Sequence, residues 1–190
     1  MEIVVIRHGE TEWSVAGRHT GRTDLALTEA GRRRAGSLAG PLSSWSFSLV
    51  LTSPLRRSIE TCRLAGLQAQ AQICEDLREW DYGDYEGLTT VQIRERASHW
   101  NLWRDGCPGG ESPGQVGARA DRALERLRSS GGDAAAFAHG HILRVVAARW
   151  LGMAVAAGAR FAFDAGAIGV LGFERETEVL QRWNSEPVMP

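Results

Sequence analysis

Two short stretches place an imidazole at the end of an apolar run. Arg7-His8-Gly9-Glu10 follows Ile3-Val4-Val5-Ile6, and His139-Gly140-His141 follows Ala134-Ala135-Ala136-Phe137-Ala138. A third run, Ser48-Leu49-Val50-Leu51-Thr52, leads into Ser53-Pro54-Leu55-Arg56-Arg57. Guanidinium groups donate paired, charge-assisted hydrogen bonds to oxyanions such as phosphate, which an ammonium group cannot do. If the three runs are strands of one sheet, their carboxyl ends gather two imidazoles and at least two guanidiniums on one rim, where ligands of open α/β sheets sit. The chemistry expected there is capture of a dianion. A neutral imidazole is also a nucleophile toward phosphorus, and cationic neighbours keep it unprotonated. The alkoxide that then leaves needs a proton, which a carboxylic acid beside the bound dianion can supply. Glu79 is the candidate.

The elements that must position these groups follow from local pattern. The β-branched run before Arg7 has no polar interruption, as in a strand buried on both faces of a parallel sheet. Thr28 opens a helix whose apolar contacts are Leu27, Ala30, Ala35 and Leu38. Ser53 and Pro54 read as N-cap and first residue of a helix running to about Leu67. A weak extended stretch covers 70–78, a loop 82–87, and an Arg- and Glu-rich helix starts at Thr89. A turn at 107–110 precedes an amphipathic helix from Ser112 to about Ser129, and a buried helix follows His141 to Trp150. Residues 161–163, 167–174 and 178–183 read as terminal strands. Strands alternating with helices predict an α/β fold of three layers, a mostly parallel central sheet with helices on both faces, forming one domain over residues 1–190.

Composition narrows the partners. The 190 residues are 43% hydrophobic and 24% charged, which excludes a disordered chain. A net charge of -1 excludes a global field that recruits nucleic acid or an anionic membrane, so any anion site is local. Met1 leads directly into the first strand without a signal-peptide pattern, and no apolar run nears the roughly 18 residues of a membrane span; a cytoplasmic protein is expected. Cys62, Cys74 and Cys107 lack CxxC spacing, so neither a disulfide framework nor a zinc site is predicted. Arg32-Arg33-Arg34 reads as a solvated helix face.

Several blocks taken together resemble the histidine phosphatase superfamily, also called phosphoglycerate mutase-like. They are Arg7-His8-Gly9-Glu10-Thr11, Thr20-Gly21 with Leu27-Thr28-Glu29-Ala30-Gly31, Ser53 to Thr61, Leu77-Arg78-Glu79 with Gly83 and Glu86-Gly87, Gly110-Glu111-Ser112, and His139-Gly140, in family order from residue 3 to about 173. The resemblance implies a phosphoglycerate mutase-like fold, phosphorylation of His8, a phosphoryl grip by Arg7, Arg57 and His139, and Glu79 as the acid. It also implies substrate contacts from Gly140, from Thr20 and Gly21 on the leaving-group side, and from Ser14, which stands where many relatives have Asn.

The family's mutases carry a long insertion between the acid block and the Gly-Glu-Ser block. Here only 31 positions separate Glu79 from Gly110. Without a lid, water reaches a phosphohistidine, so a phosphatase is expected, with a cofactor-dependent phosphoglycerate mutase as the alternative. Glu79 to Thr90, Gly17 to Gly21 and His139-Gly140-His141 are similar to the acid phosphatase and sedoheptulose-bisphosphatase branch. His19 is expected to face substrate, and His141 either meets the leaving group or caps the helix after it. Trp13, His19 and Trp80 at the pocket edge, in a chain without lysine, point to neutral or sugar-like leaving groups. The expected partner is a small-molecule phosphate ester, with homodimerisation left open. No cofactor and no metal are implied, since His139-Gly140-His141 lacks the usual ligand spacing.

Overall fold

A computed structural model describes residues 1–186. Six strands, β1 (Ile3–Arg7), β2 (Phe47–Thr52), β3 (Ala71–Ile73), β4 (Asp133–Ala138), β5 (Ile168–Glu174) and β6 (Thr177–Ser185), form one sheet in the order β3-β2-β4-β1-β5-β6. β1, β2, β3 and β4 pair in parallel, whereas β5 runs antiparallel to β1 and β6 antiparallel to β5. The sheet is therefore mixed. Its parallel part carries the three runs singled out above, and the β5–β6 hairpin closes the far edge with the short connection that only antiparallel neighbours allow.

Among the described residues, eight α-helices accompany the sheet: α1 (Glu12–Val15), α2 (Glu29–Gly36), α3 (Ala39–Leu42), α4 (Arg56–Leu64), α5 (Thr90–Arg96), α6 (Leu102–Asp105), α7 (Pro113–Arg128) and α8 (Gly140–Trp150). Alternate residues of β1 serve two cores, as strand geometry requires. Ile3 and Val5 join the cluster that holds Val116, Ala120 and Leu124 of α7 and Ile142, Val145 and Val146 of α8. Val4 and Ile6 join Leu38, Leu42 and Cys62 on the opposite face. The alanines of β4 sit at the centre of the sheet, fully buried. Their small side chains let helices of both layers approach closely. No helix among the described residues is long and apolar enough to cross a membrane.

Three helix starts fall where the sequence placed them, each with a side-chain cap. Thr28 accepts from Gly31 N, and Thr89 and Ser112 close capping boxes with Gln92 and Gln115. Other expectations need correction. α4 starts at Arg56, not Pro54, because the Ser53 hydroxyl is used elsewhere, 2.7 Å from Nε2 of His139. Its helix also ends at Leu64, short of Leu67. Residues 161–163 form no strand; the Phe163 carbonyl accepts from Arg7 instead of a neighbouring strand. The 70–78 stretch supplies only the three residues of β3 before a 3₁₀ turn at Glu75–Leu77. The three cysteines are free and buried, and burial pushes the Cys62 and Cys107 thiols up to about 12, which makes them inert.

Candidate active site

The carboxyl ends of β2, β4 and β1 lie side by side, so Ser53, His139 and Arg7-His8 emerge at one rim. His8 is held on both sides: its N–H donates to Ala138 O at 3.0 Å, and Gly9 N donates to Thr61 Oγ1 at 3.0 Å. The next residue must be glycine, because a Cβ at position 9 would lie 2.4 Å from Gly31 O. The start of α2 thus packs directly on the backbone that carries the imidazole.

Nδ1 of His8 lies 2.6 Å from Gly9 O. A carbonyl can only accept, so Nδ1 carries the ring proton and Nε2 keeps its lone pair. Burial, then the Arg57 and Arg7 charges, hold His8 well below the ordinary imidazole value, which keeps it neutral and nucleophilic. The His139 ring lies 5.1 Å from that of His8, centroid to centroid, and is depressed by burial and the Arg57 charge.

Arg7 and His8 line a cleft of about 510 Å³ with Ser14, His19, Thr20, Glu79, Gly140 and His141. Nε of Arg7 is buried and has no partner among the described residues, while Nη1 donates to Phe163 O. An unmet buried donor is what a bound anion satisfies. Arg57 and His139 are completely buried, one layer behind. Arg57 Nε donates to His139 Nδ1 at 3.1 Å, and its two terminal nitrogens donate to the carbonyls of Thr20, Gly21 and Thr23.

Glu79 is 8% exposed and takes three backbone N–H bonds: Oε1 from Trp80 and Ile142, both at 2.9 Å, and Oε2 from His141 at 3.0 Å. It thereby caps α8 from outside that helix. Arg119 fixes the Glu79 segment from below, donating to the carbonyls of Asp76, Arg78 and Glu79 and pairing through two bonds with Glu111.

The remaining expected contacts divide. Gly21 does not line the cleft; its N–H goes to the Glu86 carboxylate and its carbonyl to Arg57. Ser14 and Thr20 line it, but the Ser14 hydroxyl serves the Thr11 cap and that of Thr20 donates to Arg18 O. His141 does not cap α8 with its side chain; its ring enters the cleft, 6.0 Å from His19 and 5.4 Å from Trp103. Trp80 is core, fully buried with its indole N–H on Glu111 O, and Trp13 lies outside the lining.

Sequence reasoning missed the far wall, made by Tyr82, Trp100, Asn101, Leu102 and Trp103 with Arg18, Arg94 and Arg144. Arg7, Arg18, Arg94 and Arg144 face a single lining carboxylate, Glu79, so the cleft is cationic despite the absence of lysine. The absence of lysine therefore does not leave the cleft without cations. One signal was available: Arg144 stands about one helical turn after Gly140 and His141, on the α8 face that meets the rim.

Known proteins place the chain in a family. The family model described as histidine phosphatase superfamily (branch 1) matches residues 3–186. An acid phosphatase of Mycobacterium tuberculosis is 46% identical over 179 residues, 90% of this chain and 86% of that protein. A sedoheptulose 1,7-bisphosphatase of Saccharomyces cerevisiae is 36% identical, covering 80% of this chain and 68% of its own. The solved structure of an open reading frame product from Mycobacterium tuberculosis superposes with a TM-score of 0.93 at 41% identity over 98% of both chains.

Proposed function

The chain belongs to branch 1 of the histidine phosphatase superfamily and is a histidine-type phosphatase, and on that footing we propose that it hydrolyses phosphate monoesters of small metabolites through a phosphohistidine at His8, with Glu79 as proton donor and no metal ion. The observation that carries this reading is the His8 tautomer, fixed by Gly9 O, which leaves Nε2 as the free nucleophile.

In the first step Nε2 attacks phosphorus as the ester P–O bond breaks, and the departing alkoxide takes the proton of Glu79. Both in-plane lone pairs of Oε1 are occupied by N–H donors, whereas Oε2 accepts one, so the exchanged proton belongs on Oε2. The Nδ1–H retained on Gly9 O makes the ring a good leaving group in the second step. Water then attacks phosphorus, returns a proton to Glu79, and the P–N bond breaks to release phosphate. Arg7 supplies the unmet donor, Arg57 supplies the cationic layer behind it, and the neutral His139 supplies its Nε2–H, exchanging carbonyl and Ser53 contacts for phosphoryl oxygens. These groups supply the charge neutralisation a metal would otherwise provide.

The short segment between Glu79 and Gly110 folds into α5 and α6 on one side of the cleft, which supports transfer to water over transfer to a second hydroxyl. The yeast relative's name supports sugar phosphates as substrates. Protein quenched during turnover should carry an acid-labile, alkali-stable phosphoramidate on His8, and turnover should be unchanged by a chelator. Absence of the adduct removes the mechanism, and loss of activity in chelator removes the metal-free clause.

A further inference from the structure

A hydrogen-bonded pair at the leaving-group end has no part in the phosphoryl chemistry. Tyr82 is buried, and its hydroxyl lies 2.7 Å from Nδ1 of His141, the one hydrogen bond found for that hydroxyl among the described residues. A phenol has one proton to give. If His141 carried its proton on Nδ1, that ring N–H would donate to the phenol oxygen and the buried phenolic proton would have no acceptor, which is the costly arrangement. If the phenol donates to Nδ1, both groups are satisfied and the ring proton sits on Nε2. Burial raises Tyr82 and lowers His141, keeping one a phenol and the other a neutral imidazole.

The ring is held as well as oriented. His19 stacks on it, Trp103 flanks it, and the Tyr82 ring meets His19 edge-on at 4.8 Å. Nδ1 of His141 stands 3.9 Å from Glu79 Oε2, too far for a hydrogen bond but next to the atom that exchanges its proton with the leaving group. Nε2 has no partner among the described residues, and the ring lines the cleft.

We propose that Tyr82 holds His141 as the Nε2–H tautomer, so that this N–H donates to an oxygen of the leaving group beside the scissile ester. The protein thereby selects phosphate esters of polyols and sugars over those of simple alkyl and aryl alcohols. His141 is the specificity residue and Tyr82 a positioning residue acting through it. The selection rests on the phosphatase reading above; the tautomer does not.

Nitrogen-resolved NMR of the imidazoles tests the tautomer directly. Wild-type His141 should give the Nε2–H pattern, and Tyr82→Phe, which keeps the ring packed on His19, should give a mixture. Kinetics test the selection through the ratio of kcat/KM on glycerol 2-phosphate to that on phenyl phosphate. That ratio should fall about tenfold in Tyr82→Phe and at least as far in His141→Leu, the worth of one neutral hydrogen bond. His141→Gln, which keeps an N–H near the Nε2 position, should recover part of it. A wild-type ring protonated on Nδ1, or a ratio unmoved in both variants, overturns the proposal. Wild-type protein inactive on both esters overturns the phosphatase reading and the selection with it, while the NMR pattern still judges the tautomer.

Discussion

At the phosphoryl end of the cleft, the side chains come from strand termini and the residues just beyond them. Arg7 and His8 end β1, His139 follows β4, and Arg57 sits in the first turn of α4, each tied by backbone or buried side-chain bonds to the sheet. At the leaving-group end, Tyr82, Trp100, Trp103, His19 and Arg94 come from loops and short helices and are held by ring packing and isolated hydrogen bonds. The first region is fixed by the ladder and cannot move without the sheet. The second can be rebuilt one side chain at a time, so under the proposed mechanism one set of phosphoryl-transfer groups can serve different alcohols.

The strongest way to break that contrast is at its rigid end. His8→Ala should reduce turnover of every ester by about 10⁴-fold or more with the fold retained, because no neighbouring group has a free lone pair in place of Nε2. Residual activity within about tenfold of wild type would remove His8 from the chemistry. Glu79→Gln should act selectively. Esters with poor alkoxide leaving groups should slow by about 10²- to 10³-fold and activated aryl esters by much less, measured as the slope of rate on leaving-group pKa. Equal losses on both classes would mean that Glu79 only caps α8.

The same contrast explains what could be read from the chain. The rigid end is written in contiguous segments: an apolar run fixes where a strand stops, and the next two residues inherit that position. The helix starts at Thr28, Thr89 and Ser112 are legible for the same local reason. Ser53 misled because a serine before proline is a good cap until a histidine 86 positions away claims its hydroxyl. The tryptophans misled in the same way: Trp80 and Trp103 pack edge to face at 5.7 Å, yet one is core and the other cleft wall, a choice made by tertiary packing. That Arg57 lies close to His139 was legible, but not its complete burial there.

Acidification should separate the two ends more gently. His8 and His139 are neutral in the fold and depressed by burial and the Arg57 charge, whereas in the unfolded chain each takes a proton as pH falls through about 6.5. The unfolded state then binds more protons, so their contribution to stability is complete above that pH. It is lost on acidification at about 1.4 kcal/mol per pH unit for each ring, roughly tenfold in the folded-to-unfolded ratio. Denaturant titrations at pH 7.5, 6.5 and 5.5 should show the decline, and His139→Asn should flatten it by about one proton. His19→Gln, whose ring is less depressed, should flatten it less; an equal effect would erase the difference in burial between His139 and His19.

The mildest perturbation falls on the adaptable wall. Trp103 lies under the Arg144 guanidinium, 4.6 Å from ring centroid to Cζ, and beside the His141 ring, but touches none of the groups that exchange the phosphoryl or the proton. Trp103→Ala should therefore raise KM by about three- to tenfold and leave kcat within about twofold, since it removes contacts made equally in the ground and transition states. Should kcat fall instead, the wall would be aligning the ester for attack, and the two ends of the cleft would be one mechanical unit rather than a fixed machine with an exchangeable rim.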